Sequence, residues 1–301
     1  MSRSEGPDGP IGFVVVDKPP GWTSHDVVAK CRGILGTRKV GHSGTLDPMA
    51  TGVLVLGVGR ATKLLAFLSG LTKAYTAEVR FGQETDSLDA DGTVTVTHDM
   101  APPTLAEVCA AALDLTGEQL QVPPMVSAKK VDGRRLHELA RAGAVVERTP
   151  VPIVVGRFDV EATADPMVFR ARVDCSAGTY VRVLAADLGH AVSGGAHLVG
   201  LRRTSVGPFT LDDAVSLAEL QELGDRCIIP PTGITRVLDS VEIDEQTAID
   251  VGHGRVLERS QVGVADDDAG PWALLGGPLG PLLAVYQAHR ATTVKPAFVM
   301  I

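Results

Sequence analysis

The sequence has no run of eighteen apolar residues, so no helix within it is expected to span a membrane. Its first residues, MSRSEGPDGP, are polar and lack the apolar core of a secretory signal. There is no CxxC pair. The four cysteines, Cys31, Cys109, Cys175 and Cys227, lie far apart, which argues against a disulfide framework or a metal site and suits reduced thiols in a cytoplasmic protein. Neither a GxGxxG pattern nor a P-loop nor a metal-spaced Cys/His cluster occurs, so no cofactor and no metal are expected. Internal repeats and low-complexity tracts are missing too.

Positive charge is also in deficit. The net charge is −8, which on its face speaks against a nucleic-acid partner. Its distribution tells a different story. From Asp17 to Lys63 the bases Lys18, Lys30, Arg32, Arg38, Lys39, Arg60 and Lys63 face only Asp17, Asp26 and Asp47. A second basic group comprises Lys129, Lys130, Arg134, Arg135, Arg141 and Arg148, while acids collect in stretches such as Asp239 to Asp250 and Asp266 to Asp268. An acidic chain with one basic face is therefore open, although a single basic cluster is more often a solvated surface.

What is present is the composition of a folded protein, 45% hydrophobic and 21% charged, in 301 residues. That length suggests a main domain and a smaller one. Residues 12–16 read as a buried strand ending in a turn at Asp17 to Gly21. Ser24 is placed to cap a helix whose apolar side is Val27, Val28, Cys31, Ile34 and Leu35, with Gly36 as its stop. An apolar strand follows at Val53 to Leu56. Tyr75, Ala77, Val79 and Phe81 alternate with Thr76, Glu78 and Arg80, the period of a half-buried strand. Thr104 and Glu107 form a capping box for a further helix. Residues 169–175 alternate again, and Gly178 is expected to open a helix that carries Tyr180, Val183, Leu184 and Leu188. Strands and helices mix without regular βαβ units, which predicts an α+β fold on a mixed, largely antiparallel sheet. Ile228 to Gly233 reads as a linker to a small β-rich domain of about 65 residues, roughly the smallest size that folds alone.

The densest chemistry lies in KVGHSGTLDPMATG, from Lys39 to Gly52. Gly41, Gly44 and Gly52 permit tight backbone geometry. Pro48 turns Asp47 away from helical conformation, and the apolar strand that follows anchors the loop. A positioned carboxylate of this kind is suited to nucleophilic or acid–base work. The bland alternative is a turn residue closing a hairpin.

The stretch from His42 to Gly52, HSGTLDPMATG, resembles the signature of the TruB family of tRNA pseudouridine synthases. The resemblance takes in Asp17-Lys18-Pro19 with Gly21 and Ser24, then Gly59 to Lys63, Lys73-Ala74-Tyr75, Gly82 to Asp86 and Asp89 to Gly92. It ends with Cys175 to Arg182 and His197 to Arg203, so that the blocks run in the family's order across residues 12–209. What it implies is isomerisation of uridine to pseudouridine at position 55 in the T-loop of tRNA, by flipping of the base and rearrangement of the glycosidic bond. No cofactor is implied.

By the same resemblance Asp47 is the essential aspartate, acting as nucleophile on the sugar or as base, and Arg182 is its partner. A guanidinium there should lower the pKa of Asp47. Tyr75 stacks on the target base, His42 fills the space that the base leaves, and Leu201 walls its pocket. Lys18 and Pro19 support the active-site loop. Residues 122–150 correspond to an RNA-gripping insertion, with Lys130 and Arg134 flanking the turn Val131-Asp132-Gly133. Residues 1–236 would form the catalytic domain and 237–301 a PUA-like RNA-binding domain. The expected partner is the T-stem-loop of tRNA, bound by a cytoplasmic monomer that needs no protein partner. A guide-RNA-dependent synthase of the dyskerin type and a non-catalytic tRNA-folding protein are the rivals. The compact chain disfavours the first, and the joint presence of Asp47, Tyr75 and Arg182 disfavours the second.

Overall fold

The computed structural model describes residues 9–125, 130, 131, 134, 135 and 148–300. Its centre is a mixed, mostly antiparallel sheet. In spatial order its main path runs Gly12–Lys18, Thr51–Val58, Ala196–Val206, Lys73–Phe81, Val168–Cys175, Val151–Ala162 and Gly117–Gln121. Only Thr51–Val58 beside Ala196–Val206 is a parallel pair. Val40–His42 adds to the free part of Thr51–Val58.

Burial explains the composition of these strands. Thr51–Val58 is covered on both faces and reads as a continuous apolar run, whereas Lys73–Phe81 alternates because one face meets solvent. In Gly12–Lys18, Val14 and Val16 join the core under the helices Ser24–Leu35, Leu105–Asp114 and Val181–Ala191. Phe13 and Val15 point the other way, into a second core shared with Leu64, Leu68, Phe209 and Ile234. Each fully buried Val, Leu or Phe contributes roughly 1.5–3 kcal/mol, so the two faces together anchor these strands firmly.

A second sheet of five strands lies within 239–299, with Asp239–Glu242, Trp272–Leu275, Leu282–Arg290, Thr293–Val299 and Leu257–Glu258 in that order. Ala273, Leu275, Leu282 and Val285 from it pack into the core around Phe13 and Val15. Its other face has a core of its own about Trp272 and Tyr286. The β-rich character expected of this end of the chain is observed. No helix among the described residues is long and apolar enough to cross a membrane.

Three local readings differ from the structure. The cap of the first helix is Thr23, not Ser24. Thr23 Oγ1 accepts from Asp26 N, and the Asp26 carboxylate accepts from Thr23 N. This reciprocal box needs an acid three residues on, which Thr23 has in Asp26 and Ser24 lacks in Val27. The later helix starts at Val181 rather than at Gly178, which has φ +85° and serves the preceding turn. Finally, Ile228 to Gly233 is packed rather than loose. Ile229 and Phe13 exchange both backbone hydrogen bonds at 2.8 Å, and Gly12 allows this because a Cβ there would meet Ile229 O at 2.2 Å.

Candidate active site

The loop between Val40–His42 and Thr51–Val58 carries Asp47, and buried polar groups hold it on three sides. Lys18, 0% exposed, donates from Nζ to Pro48 O at 3.1 Å, and also to Pro19 O and Trp22 O. Burial pushes the ammonium down to about 8, against the attraction of Asp47. Ser24 Oγ accepts from Leu46 N at 2.9 Å and donates to Leu46 O at 3.2 Å. Arg203 donates to Gly44 O at 3.1 Å and to Thr45 O at 3.4 Å. Gly52, at φ +98°, lets the loop rejoin the sheet, since a Cβ there would meet Arg203 O at 2.1 Å.

Asp47 meets Arg182 in two places. Arg182 Nε lies 2.9 Å from Oδ2, and Nη2 donates to Oδ1 at 3.1 Å, a two-point ion pair in which the Nη2 contact has hydrogen-bond geometry. Arg182 Nη1 donates to Ser87 O at 2.7 Å and lies 3.5 Å from Asp89 Oδ2. The guanidinium is almost wholly buried, whereas a third of the Asp47 side chain stays open to the cleft. A cation in the first turn of a helix opposes the helix dipole. Here two carboxylates offset that, and the position is explained by them.

Arg182 lowers the Asp47 pKa as expected, but other influences outweigh it. Burial raises the Asp47 carboxyl above its ordinary value, Arg182 pulls it down, and Asp89 pushes it up again; the net direction is upward. Removing a carboxylate from water outweighs one good partner when a second carboxylate shares that partner. The group is thereby more basic than an ordinary aspartate.

Asp47 and Arg182 line a cleft of about 260 Å³ that also includes Ser43, Ser69, Lys73, Tyr75, Thr179, Tyr180, Leu201 and Arg203. Tyr75 is on the buried face of Lys73–Phe81, as its alternation predicts. Burial raises its phenol above the ordinary value, with the Arg203 guanidinium opposing. Leu201 sits opposite Ala77 on the neighbouring strand and forms part of the cleft wall. His42 ends its short strand outside the set that lines the cleft, with its ring edge-on to His25 at 5.4 Å. Burial lowers its pKa, and the charges of His25 and Arg203 add to this. Pro19 adjoins Lys18 in the supporting turn, where its carbonyl accepts from Nζ at 2.9 Å.

Lys130–Val131 and Arg134–Arg135 pair antiparallel through the backbone; the side chains of Lys130 and Arg134 lie outside the described residues, as do Lys129 and Arg141. No group of described His, Cys, Asp or Glu side chains could hold a metal ion.

Lys73, Asp89 and Arg203 belong to the site by geometry but carry no individual role in the sequence reading, and Ser24, which also belongs to it, is read there only as a helix cap. For Arg203 a signal existed: it shares the inward face of its strand with Leu201, opposite Tyr75, where an apolar residue is the norm. For Asp89 there was none, because its meeting with Arg182 is purely tertiary.

A carboxylate gripped on one side by a buried guanidinium and open on the other to a cleft with an aromatic wall is equipped for nucleophilic or base catalysis. Family comparisons specify the class. The model of the TruB family pseudouridylate synthase N-terminal domain matches residues 32–181, and that of the tRNA pseudouridylate synthase B C-terminal domain matches residues 182–242. Relatives named tRNA pseudouridine synthase B include one from Rhodococcus jostii (strain RHA1), 47% identical over 99% of each chain. Another, from Nocardia farcinica (strain IFM 10152), is 56% identical over 70% of each chain. Among solved structures, one from a Cbf5–Nop10–Gar1 complex superposes with a TM-score of 0.76 at 25% identity, over 96% of this chain and 85% of the other. The chain belongs to the TruB family of pseudouridylate synthases.

Proposed function

We propose that this protein converts uridine to pseudouridine at position 55 in the T-loop of tRNA, as a cytoplasmic monomer that needs neither a guide RNA nor a cofactor. The observation that carries the reading is the two-point Arg182–Asp47 ion pair, whose carboxylate opens to a cleft walled by Tyr75 and Leu201. Relatives that align over nearly the whole chain carry the name tRNA pseudouridine synthase B, which supports tRNA as the substrate.

The target base lies within a folded loop and has to be flipped out to reach the cleft. His42 takes the vacated place, and the base enters between Tyr75 and Leu201. Asp47, ionised, then attacks the sugar at C1′ or removes the 2′ proton. The glycosidic bond to N1 breaks, the uracil turns, and C5 bonds to C1′ as the Asp47–C1′ bond breaks or the 2′ proton returns; the proton that C5 loses beside the Tyr75 phenol is matched by one taken up at N1. Atoms are conserved throughout. Residues 1–236 perform this chemistry, while Lys130 and Arg134 in the 122–150 insertion and the 237–301 domain hold the RNA.

The test is direct. Purified protein is incubated with unmodified tRNA transcript, and pseudouridine is mapped along the product. Modification at position 55 alone is expected; none, or modification confined to another stem or loop, sinks the reading.

A further inference from the structure

Arg203 is 1% exposed, yet no described carboxylate lies within ion-pair distance of it. A buried arginine satisfied only by neutral groups is costly to the fold, and a leucine would fill the space at less expense. Its contacts show what it does instead. Nε donates to Val53 O at 2.7 Å, Nη2 to Gly44 O at 3.1 Å and Nη1 to Thr45 O at 3.4 Å. Gly44 and Thr45 stand immediately ahead of Leu46 and Asp47, so the fork grips the catalytic loop by its backbone.

The register of the sheet adds the second half. Arg203 is paired with Gly52 on the parallel strand and with Tyr75 on the antiparallel one. One residue therefore lies between the strand that ends the Asp47 loop and the strand that carries Tyr75. Its guanidinium also faces the cleft that both side chains line.

We propose that Arg203 is a positioning residue for the isomerisation: its fork holds Asp47's loop at a fixed distance from Tyr75, on opposite sides of the bound nucleotide. The assignment rests on the reading of the cleft given under Proposed function. It gives the buried guanidinium a task that a leucine or a lysine cannot perform, since neither can hold three carbonyls in a plane at once. The opposing effect of the same cation on the Tyr75 phenol accords with its placement.

The experiment uses Arg203→Lys and Arg203→Gln in the full chain. Single-turnover rate at saturating tRNA and tRNA affinity are measured well below each variant's melting midpoint, so that every molecule is folded. Displacement of a catalytic group by an ångström costs about a hundredfold, so the saturated rate should fall by at least about tenfold in both variants. Affinity should stay within about threefold, because the RNA-contacting surface is untouched. A merely structural role lowers the melting midpoint but leaves the saturated rate of folded protein unmoved, and that result overturns the proposal. Failure of both variants to fold overturns it too, making Arg203 a folding residue. If the wild-type protein forms no pseudouridine, the reading of the cleft fails instead, and the two failures are separable.

Discussion

Thr23 and Ser24 are adjacent hydroxyl residues with opposite duties, and exchanging each for alanine separates helix capping from loop support. Thr23 caps an exposed helix start, so Thr23→Ala should cost about 1 kcal/mol of stability. Ser24 is 1% exposed and satisfies both the N–H and the carbonyl of Leu46. Ser24→Ala removes both bonds from a buried site, and leaving a buried group unsatisfied costs roughly 1–3 kcal/mol. The loop can recover part of that by shifting until Leu46 N reaches water, and Asp47 is the next residue. A shift of about 1 Å in a reacting group lowers its rate on the order of a hundredfold. Urea denaturation and single-turnover pseudouridine formation on a tRNA transcript read the two effects. Thr23→Ala should be mildly destabilised and fully active, whereas Ser24→Ala should lose at least about tenfold in saturated rate. Equal activity of the two variants would falsify the view that Ser24 positions the loop.

Other expectations concern the cleft itself. Asp47→Asn should abolish product while keeping tRNA affinity within about tenfold, or roughly 1.4 kcal/mol; turnover by the carefully purified variant would remove Asp47 from its role. Tyr75→Phe keeps the ring but loses the phenol, so its single-turnover rate should fall far more than its affinity, and an unchanged rate returns Tyr75 to the status of a core aromatic. Because burial raises the Asp47 carboxyl and the reaction needs it ionised, rate should be lost as pH falls through a value above the ordinary aspartate range. Arg182 opposes that rise, so in Arg182→Lys, which cannot reach both carboxylate oxygens in the same way, the acid limb should move to higher pH; a limb that stays in place refutes this account.

Periodicity carried much of the fold. Tyr75, Ala77, Val79 and Phe81 are all buried, and the Thr104–Glu107 box and the Gly36 stop stand where local chemistry placed them. Local signals suffice there because caps, stops and alternation are set by neighbours within a few residues. The cap at Thr23 was missed because two candidate hydroxyls stand side by side, and only the identity of the third following residue tells them apart. The Asp47 loop was legible as a motif, but its supports were not. Ser24 reaches Leu46 across 22 residues and Arg203 reaches Gly44 across 159, distances over which spacing carries no information. The direction of the Asp47 shift was missed for the same reason. It depends first on a degree of burial that only packing reveals, and then on Asp89, which shares Arg182 from a different turn.

The same distinction between local and summed charge governs how an acidic chain can attract RNA. On the outward face of the sheet the arginines are matched: Arg80 with Asp165, Arg157 with Asp159, Arg170 with Glu78 and Arg172 with Glu161. That face has little net field to offer a phosphate. Around the Asp47 loop the exposed Lys30, Arg38, Lys39 and Lys63 have no described carboxylate partner. Lys39 O accepts from Gly59 N at 2.8 Å, which brings Lys39 beside the 3-10 helix Gly59–Leu64 that carries Lys63. The loop bearing Asp47 begins at Ser43, just past the strand that follows Lys39. If these cations meet tRNA phosphates, Lys39→Ala and Lys63→Ala should each reduce the salt slope of log affinity by roughly 0.7–0.9. Arg170→Ala and Arg172→Ala should leave the slope alone, since each of those charges is already compensated. Saturated single-turnover rates should change little in any of the four, because Asp47, Tyr75 and Arg182 are untouched. Affinity measured across a salt series decides the matter: an unaltered slope in the lysine variants, or a loss in the arginine variants, assigns the RNA to another face.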